Sequence, residues 1–174
     1  VDETVLSDAI RLAKRYLTKK SLPDSAFDLI DRTMSQVKTM NDLTINIIQS
    51  LREKLDAIKA GAEGKDKADE PLMKELDWLN YELFNKVSCI LLAGVDSDTD
   101  FSKIATIQER IDFLAGVLDK LTELSAEQRT ELKSDDLSAV VAKQTGIPFG
   151  KVQTKERDRL MGAEDTLKKR VVGQ

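Results

Sequence analysis

Hydrophobic residues in the first part of the chain recur at intervals of three and four, which is the spacing of one face of an α-helix. Ser21-Leu22-Pro23-Asp24 then combines a serine cap, an acid three residues later and a proline suited to a first helical turn. The pattern therefore predicts one helix before this segment and a second helix after it. The apolar residues of the first are Leu6, Ala9, Ile10, Ala13, Tyr16 and Leu17, and those of the second are Phe27, Ile30, Met34 and Val37.

The middle of the chain contains three longer runs in which the apolar residues keep a heptad-like spacing. Polar segments at residues 61–67 and 94–100 separate the runs, and Pro71 opens the second one. This spacing places a narrow apolar seam on each helix and favours antiparallel, coiled-coil-like packing. The seams comprise Leu43, Ile47, Leu51, Leu55 and Ile58, then Leu72, Leu76, Leu79, Leu83, Val87 and Ile90, then Ile104, Ile107, Ile111, Leu114, Leu118 and Leu121.

Helix signals change again after the third run. Residues 125–128 have the spacing of a capping box, which predicts a break before a short helix around Leu137 and Val141. Residues 145–150 contain two glycines and a proline and are predicted to form a linker. A final charged helix is expected from Thr154 to Arg170.

Composition supports a helical protein. The 174 residues are 41% hydrophobic and 33% charged, with eight glycines and three prolines, which is poor material for a many-stranded sheet. The fold class is therefore predicted to be all-α and mainly helical, with at most one very short β pair. A net charge of −4 gives no reason to expect nucleic acid as a partner. No apolar run approaches the roughly 20 residues that span a bilayer, so no membrane partner and a cytoplasmic location are expected.

The residue types needed for catalysis are scarce. There is no histidine, and Cys89, the single cysteine, lies in an apolar run where a buried thiol is expected. Gly146 to Lys151 superficially suggests a phosphate-binding loop, but it is one residue short and Val152 stands where serine or threonine must reach magnesium. No Walker B motif follows. We therefore expect no catalytic residue, no metal site and no cofactor within this segment.

The first family resemblance lies near the N-terminus. Residues 6–17, followed by Leu22-Pro23-Asp24-Ser25-Ala26-Phe27-Asp28-Leu29-Ile30-Asp31, resemble the small helical subdomain that closes the first ATPase module of Clp-type AAA+ unfoldases. That family has L-P-D-K-A-I-D-L-I-D in the second part. Ser25 replaces a lysine, and Phe27 replaces isoleucine in what we expect to be a conservative core change. The resemblance places Pro23 and Asp24, but not Ser25, at the margin of the first nucleotide site.

The second resemblance lies at the other end. Residues 136–148 are similar to the family pattern D-I-A-x-V-V-x-x-x-T-G-I-P, and the last five residues are similar to R-V-I-G-Q. In that family, this pattern belongs to the linker into the second ATPase module. By resemblance, Val171, Val172, Gly173 and Gln174 line the adenine pocket of that module.

The ordered pair of motifs implies a division of the chain. Residues 1–40 form the first part of the small AAA+ lid subdomain, residues 41–133 an inserted middle domain, residues 134–150 the return to the lid and linker, and residues 151–174 the helix toward the next module. The insertion looks longer than that of ClpC proteins and shorter than that of ClpB proteins. A ClpC or ClpC/ClpA hybrid subtype is preferred.

The resemblance implies a segment of an ATP-dependent protein unfoldase and regulatory ATPase subunit of a Clp protease. The parent would use ATP and Mg²⁺, form a homohexamer, act on protein substrates, and engage adaptor proteins and, as a candidate, a ClpP-like peptidase. The alternatives are a segment of a ClpB-type disaggregase and a stand-alone helical adaptor or scaffold.

Three aromatic residues of the second middle run remain open to two interpretations. Trp78, Tyr81 and Phe84 recur at three-residue spacing beside the seam. They either widen the packed face or form an exposed patch that binds an adaptor or a neighbouring subunit.

Overall fold

A computed structural model describes residues 2–62, 69–95, 100–126 and 128–156 of the chain. Within these ranges the regular secondary structure is helical and contains no strand, which confirms the all-α prediction. The helices are α1 (Glu3–Tyr16), α2 (Asp24–Ala62), α3 (Glu70–Lys86), α4 (Cys89–Ala93), α5 (Ile107–Ser125), α6 (Ser134–Thr145) and a helical segment at residues 149–156, here called α7.

The chain divides into two compact units, of which one is discontinuous in sequence. The first, called the end unit, contains Val1–Thr33 and Leu132–Gln174, and the second, called the middle unit, contains Met34–Glu131. Helix α2 contributes residues to both units.

The end unit is built on the packing of α1 against α6. Asp2 caps α1 by accepting a hydrogen bond from the Glu3 amide at 2.7 Å. Helix α6 ends at Thr145 and is capped by Gly146, whose φ of 71° lies in the left-handed region where glycine avoids the steric penalty of a Cβ atom. The buried side chains of these helices include Val5, Ala9, Leu12, Ala13, Leu137, Val140 and Val141.

The apolar face predicted for α1 is partly wrong. Leu6 and Ile10 are 42% and 45% exposed, whereas Val5 and Leu12 are buried. The apolar residues of α1 form one face that is wider than its buried part, so their spacing does not show which of them the packing covers. Packing turns the face with Val5, Ala9 and Leu12 inward.

Helix α2 joins two runs that the sequence analysis treated separately. It spans 39 residues, about 58 Å at 1.5 Å per residue, and no proline interrupts it. Phe27, Met34 and Leu43 were expected on its apolar faces, but they are 60%, 50% and 50% exposed. The expectation that Phe27 is a core residue is therefore wrong.

The middle unit has the leucine-rich seams predicted from the heptad-like spacing. Helix α5 packs on α3 and α4. The fully buried side chains there include Leu76, Leu83, Leu114, Leu118 and Leu121. The side chain of Cys89 is buried, as expected.

The ends of the predicted runs need correction. Helix α3 stops at Lys86 because Val87 adopts an extended conformation, and Ser88 caps the separate helix α4 that contains Ile90. Ile104 precedes α5 and follows a short 3-10 turn at Phe101–Lys103. The predicted break after α5 is confirmed, since the helix ends at Ser125.

The last helix starts earlier than predicted. Residues 149–156 are already helical, so the helix begins directly after Pro148 and not at Thr154. Proline suits this position because its fixed φ matches a first helical turn. The remainder of the predicted helix, from Arg157 to Arg170, lies outside the described residues.

Burial predicts a large difference between two leucines of the middle unit. Leu114→Ala should lower the free energy of unfolding by about 2–5 kcal/mol, because Leu114 is completely buried and its truncation leaves a cavity. The matched control, Leu43→Ala, removes the same atoms from a half-exposed site and should cost less than about 0.5 kcal/mol. Urea unfolding followed by circular dichroism measures both; equal losses would contradict the packing described here.

Candidate functional site

The sequence places two candidate nucleotide-margin residues at the start of α2. Pro23 and Asp24 are exposed, and Asp24 is the first residue of the helix. Ser25, one position further, is only 2% exposed. Ser25, which replaces a charged lysine of the family pattern, is thus buried. Phe27, the other departure from that pattern, is exposed to solvent. Val171, Val172, Gly173 and Gln174 lie outside the described residues.

A buried carboxylate connects α7 to α1 in the end unit. The Glu156 side chain is 9% exposed; its Oε1 accepts a hydrogen bond from Arg15 Nη1 at 2.8 Å, and its Oε2 lies 3.0 Å from Arg11 Nε. The second contact is an ion pair whose alignment does not meet hydrogen-bond geometry. Two cations around one carboxylate compensate for the loss of water around it. We call this arrangement the Glu156 cluster.

The Glu156 cluster was not predicted from the sequence, although a signal was present. In the sequence, Glu156 follows the apolar Val152 by four residues, which places both on the same face of a helix. The structure buries Val152 fully on that face. A charged residue on a buried helix face needs a partner, and Arg11 and Arg15 share that same four-residue spacing on α1.

Polar contacts also join α1 to the start of α6. Asp8 accepts a short hydrogen bond from the Ser134 hydroxyl and pairs with Arg11 at 2.8 Å. At the same end of α6, the Asp136 carboxylate accepts a hydrogen bond from the Lys133 amide at 2.9 Å. These contacts set the register of α6 against α1.

The aromatic residues of α3 lie mainly on its exposed side. Trp78 and Tyr81 are 66% and 59% exposed, and their ring centroids are 5.5 Å apart. Phe84 is half-buried, and Leu79 and Leu83 occupy the buried face. The interpretation that all three aromatics widen the packed face is therefore wrong for Trp78 and Tyr81 within this chain. We call Trp78, Tyr81 and the exposed edge of Phe84 the aromatic patch.

A charge cluster borders the aromatic patch. The Glu82 carboxylate, 11% exposed, accepts a hydrogen bond from Lys54 at 2.7 Å and a shorter one from Lys86. These two hydrogen bonds lower the pKa of Glu82 below its ordinary value of 4.5, although burial acts in the opposite direction. The lysines thereby link α3 to α2 and hold Glu82 ionised.

Arg110 is a buried charged residue on α5 that the sequence analysis did not identify. Its side chain donates to the Ile104 carbonyl at 2.8 Å and to Asp77 at 2.5 Å, and its guanidinium lies 4.9 Å from the centre of the Phe101 ring. These contacts satisfy the charge and attach the 3-10 turn to α5.

In the part of the chain that the structure describes, no helix is both long and apolar enough to span a bilayer. The same ranges contain no group of three or more histidine, cysteine or acidic side chains arranged to hold a metal ion.

The fold therefore has one helical unit assembled from both ends of the chain and a second helical unit inserted between them in sequence. The sequence model of the family described as "AAA lid domain" matches residues 1–79. This match extends through α2 and into α3, beyond the part of α2 that belongs to the end unit.

Curated relatives cover the whole chain. It is 29% identical to the "Chaperone protein ClpB" of Vibrio cholerae, over 100% of this chain and 24% of the relative. It is 27% identical to the "Negative regulator of genetic competence ClpC/MecB" of Bacillus subtilis and 28% identical to the "ATP-dependent Clp protease ATP-binding subunit ClpC" of Staphylococcus epidermidis, over 100% of this chain and 18% of each relative. No solved structure matches the chain. These findings confirm the resemblance to the Clp family of AAA+ ATPases.

The chain spans only about a fifth to a quarter of the length of these relatives.

The Glu156 cluster predicts a charge-specific loss of stability. Glu156→Gln should lower the free energy of unfolding by about 1–3 kcal/mol, because it removes the anion that Arg11 and Arg15 share. Asp31→Asn removes the same charge from an exposed site of α2 in the same unit and should have little effect. Thermal unfolding of both variants provides the measurement, and indistinguishable melting temperatures would show that the cluster does not stabilise the end unit.

Glu82 predicts a pH dependence. Its folded-state pKa is lowered, so its contribution to stability is fully present above the unfolded pKa near 4.5 and is lost as the pH falls through the folded pKa. The stability difference between the unmodified chain and Glu82→Gln should therefore be largest at neutral pH and shrink below about pH 4.5. Urea unfolding across this pH range tests the sign; a difference that grows on acidification would be incompatible with it.

Proposed function

We propose that this chain is a segment of an ATP-dependent Clp-type protein unfoldase. It contributes the helical lid of one ATPase module and the middle unit inserted into that lid. The single observation that supports this most strongly is the order of parts: two distant segments form one helical unit around an insertion, and ClpB and ClpC proteins align with all of it. Similarity along the whole of this chain favours this function over a stand-alone helical adaptor.

ATP hydrolysis belongs to the parent protein in this proposal, with ATP and Mg²⁺ as its cofactors. Pro23 and Asp24 stand at the margin of one nucleotide site, and Val171 to Gln174 at the margin of the next. Within the parent, this segment couples the nucleotide state to motion. It supplies no catalytic residue of its own. The parent assembles as a homohexamer and acts on protein substrates.

Helix α2 is the proposed mechanical connection. It begins at Asp24, beside the nucleotide margin, and continues to Ala62 without a break, so it leaves the end unit and enters the middle unit as one helix. A continuous helix bends little over this length compared with a loop. A nucleotide-dependent rotation of the lid is therefore transmitted to the middle unit.

The length of the alignments supports a ClpC-type parent over a ClpB-type disaggregase. The alignments with the two ClpC relatives extend over 178 residues, close to the 174 of this chain, whereas that with Vibrio cholerae ClpB extends over 213. The ClpB alignment thus contains at least 39 positions that this chain lacks. A ClpC-type parent would also act as the regulatory subunit of a ClpP-like peptidase.

The aromatic patch is the proposed docking site for an adaptor protein. Trp78 and Tyr81 expose large apolar rings beside the ion pairs of Glu82, and tryptophan and tyrosine are residues that contribute strongly at protein interfaces. Helix α3 holds both rings on a rigid element whose other face is buried in the middle unit.

The decisive experiment uses the full-length parent and its adaptor. Trp78→Ala combined with Tyr81→Ala should leave basal ATP hydrolysis unchanged and reduce adaptor-stimulated unfolding of a fluorescent substrate at least about tenfold, as expected for loss of interface hot spots. A linker in place of Met34–Glu131 should abolish the stimulation while also sparing basal hydrolysis.

Ile45→Ala is the matched control, since Ile45 is 58% exposed on α2 of the same unit. It should behave like the unmodified protein. A parent that hydrolyses no ATP would refute the proposed function itself. Full stimulation of the double variant would refute only the role of the aromatic patch.

A further inference from the structure

Helix α7 is anchored to the end unit at three places. Val152 is completely buried, the Gln153 side chain donates a hydrogen bond to Asp135 of α6 at 2.9 Å, and Glu156 reaches α1 through its two arginines. By resemblance, residues 151–174 lead from the lid toward the second ATPase module. The described part of that path is therefore held by side-chain contacts with α1 and α6.

Glu156 is the contact that determines how α7 is placed. The packing of Val152 is apolar and tolerates small shifts, and the hydrogen bond of Gln153 is exposed to water. A buried carboxylate is less tolerant, because without its partners it keeps the full cost of leaving water. Its two oxygens lie 3.0 Å from Arg11 Nε and 2.8 Å from Arg15 Nη1, one helical turn apart on α1. A rotation of α7 about its own axis would take the carboxylate away from both partners.

The same contacts continue to α6. Arg11 also pairs with Asp8 at 2.8 Å, and Asp8 accepts a short hydrogen bond from the Ser134 hydroxyl at the start of α6. One path of polar contacts thus runs from Ser134 through Asp8 and Arg11 to Glu156. Such a network has few satisfied arrangements, so we expect α1, α6 and α7 to move as one body.

We infer that Glu156 is a positioning residue that transmits the rotation of the lid to the second ATPase module. The inference rests on the proposed function, since it requires an ATPase module on either side of this chain. A flexible tether needs no buried charge, because any apolar contact docks it loosely. The buried ion pairs instead give α7 one direction, so the lid and the chain that leaves it turn together. This output is distinct from that of α2, which runs from the end unit into the middle unit.

A distance measurement tests the positioning itself. Spin labels are attached through Lys14→Cys on α1 and Lys151→Cys on α7, two exposed sites, with Cys89→Ser in every variant. The intact Glu156 cluster should give one narrow distribution of label distances. Glu156→Gln should broaden that distribution or add a second distance, because α7 loses its direction, and the control Asp31→Asn should keep it narrow. An unchanged distribution in Glu156→Gln would overturn the inference.

The functional test uses the full-length parent in two forms. In one form the first module binds ATP without hydrolysing it, and in the other it cannot bind ATP, so all measured hydrolysis belongs to the second module. The two rates should differ at least about fivefold, the lower end of ordinary coupling between sites. Glu156→Gln should bring the two rates close together, whereas Asp31→Asn should preserve their difference.

The outcomes separate this inference from the function on which it rests. A parent that hydrolyses no ATP would refute the proposed function itself. Hydrolysis with an undiminished rate difference in Glu156→Gln would overturn the inference alone. Equal rates of the second module in the two forms of the otherwise unmodified parent would do the same.

An exchange of charges distinguishes positioning from packing. Glu156→Arg combined with Arg15→Glu again places one carboxylate among two guanidinium groups, so it should restore the narrow label distance and the rate difference. Either substitution alone should abolish both. Arg15→Gln is the milder variant, and it should reduce the rate difference while Arg11 still holds Glu156. An exchange variant with the helical content of the unmodified chain that restores neither property would overturn the inference.

Discussion

The structure depends on the closure of the end unit by two segments that are distant in sequence. Val1–Thr33 and Leu132–Gln174 form one compact unit, although Met34–Glu131 separates them along the chain. Bringing such segments together costs chain entropy, which apolar burial between α1 and α6 must offset. The Glu156 cluster adds a polar constraint to this packing, since one buried carboxylate is satisfied only when α7 lies against Arg11 and Arg15.

The inserted middle unit can vary in length because it has its own core. Its leucine seams are buried among α2, α3 and α5, and Asn41 joins its two ends by hydrogen bonds to the backbone carbonyl and amide of Arg129, at 2.7 and 3.1 Å. A unit closed in this way holds its core within its own helices.

Prediction from the sequence succeeded where one periodic signal determines the outcome. The seams of α3 and α5, the break after Ser125 and the buried thiol of Cys89 all follow from local spacing and composition. Errors occurred where the apolar face of a helix is wider than the part that packing covers. Leu6, Ile10, Phe27 and Leu43 fit the helical period, yet they remain exposed because they lie at the edges of that face. The nucleotide margins were named from resemblance, and Val171 to Gln174 lie outside the described residues.

The sequence alone determined the helical class, the leucine seams and the ordered end motifs, because these are properties of residues close together in the chain. Only the tertiary structure decided which charges and hydroxyls are buried and with what they are paired. The arrangement of Glu156 between two arginines, the attachment of Arg110 to Phe101 and the unpaired Ser25 hydroxyl depend on residues from different helices. Burial and pairing are properties of three-dimensional neighbours, and helical periodicity does not specify those neighbours.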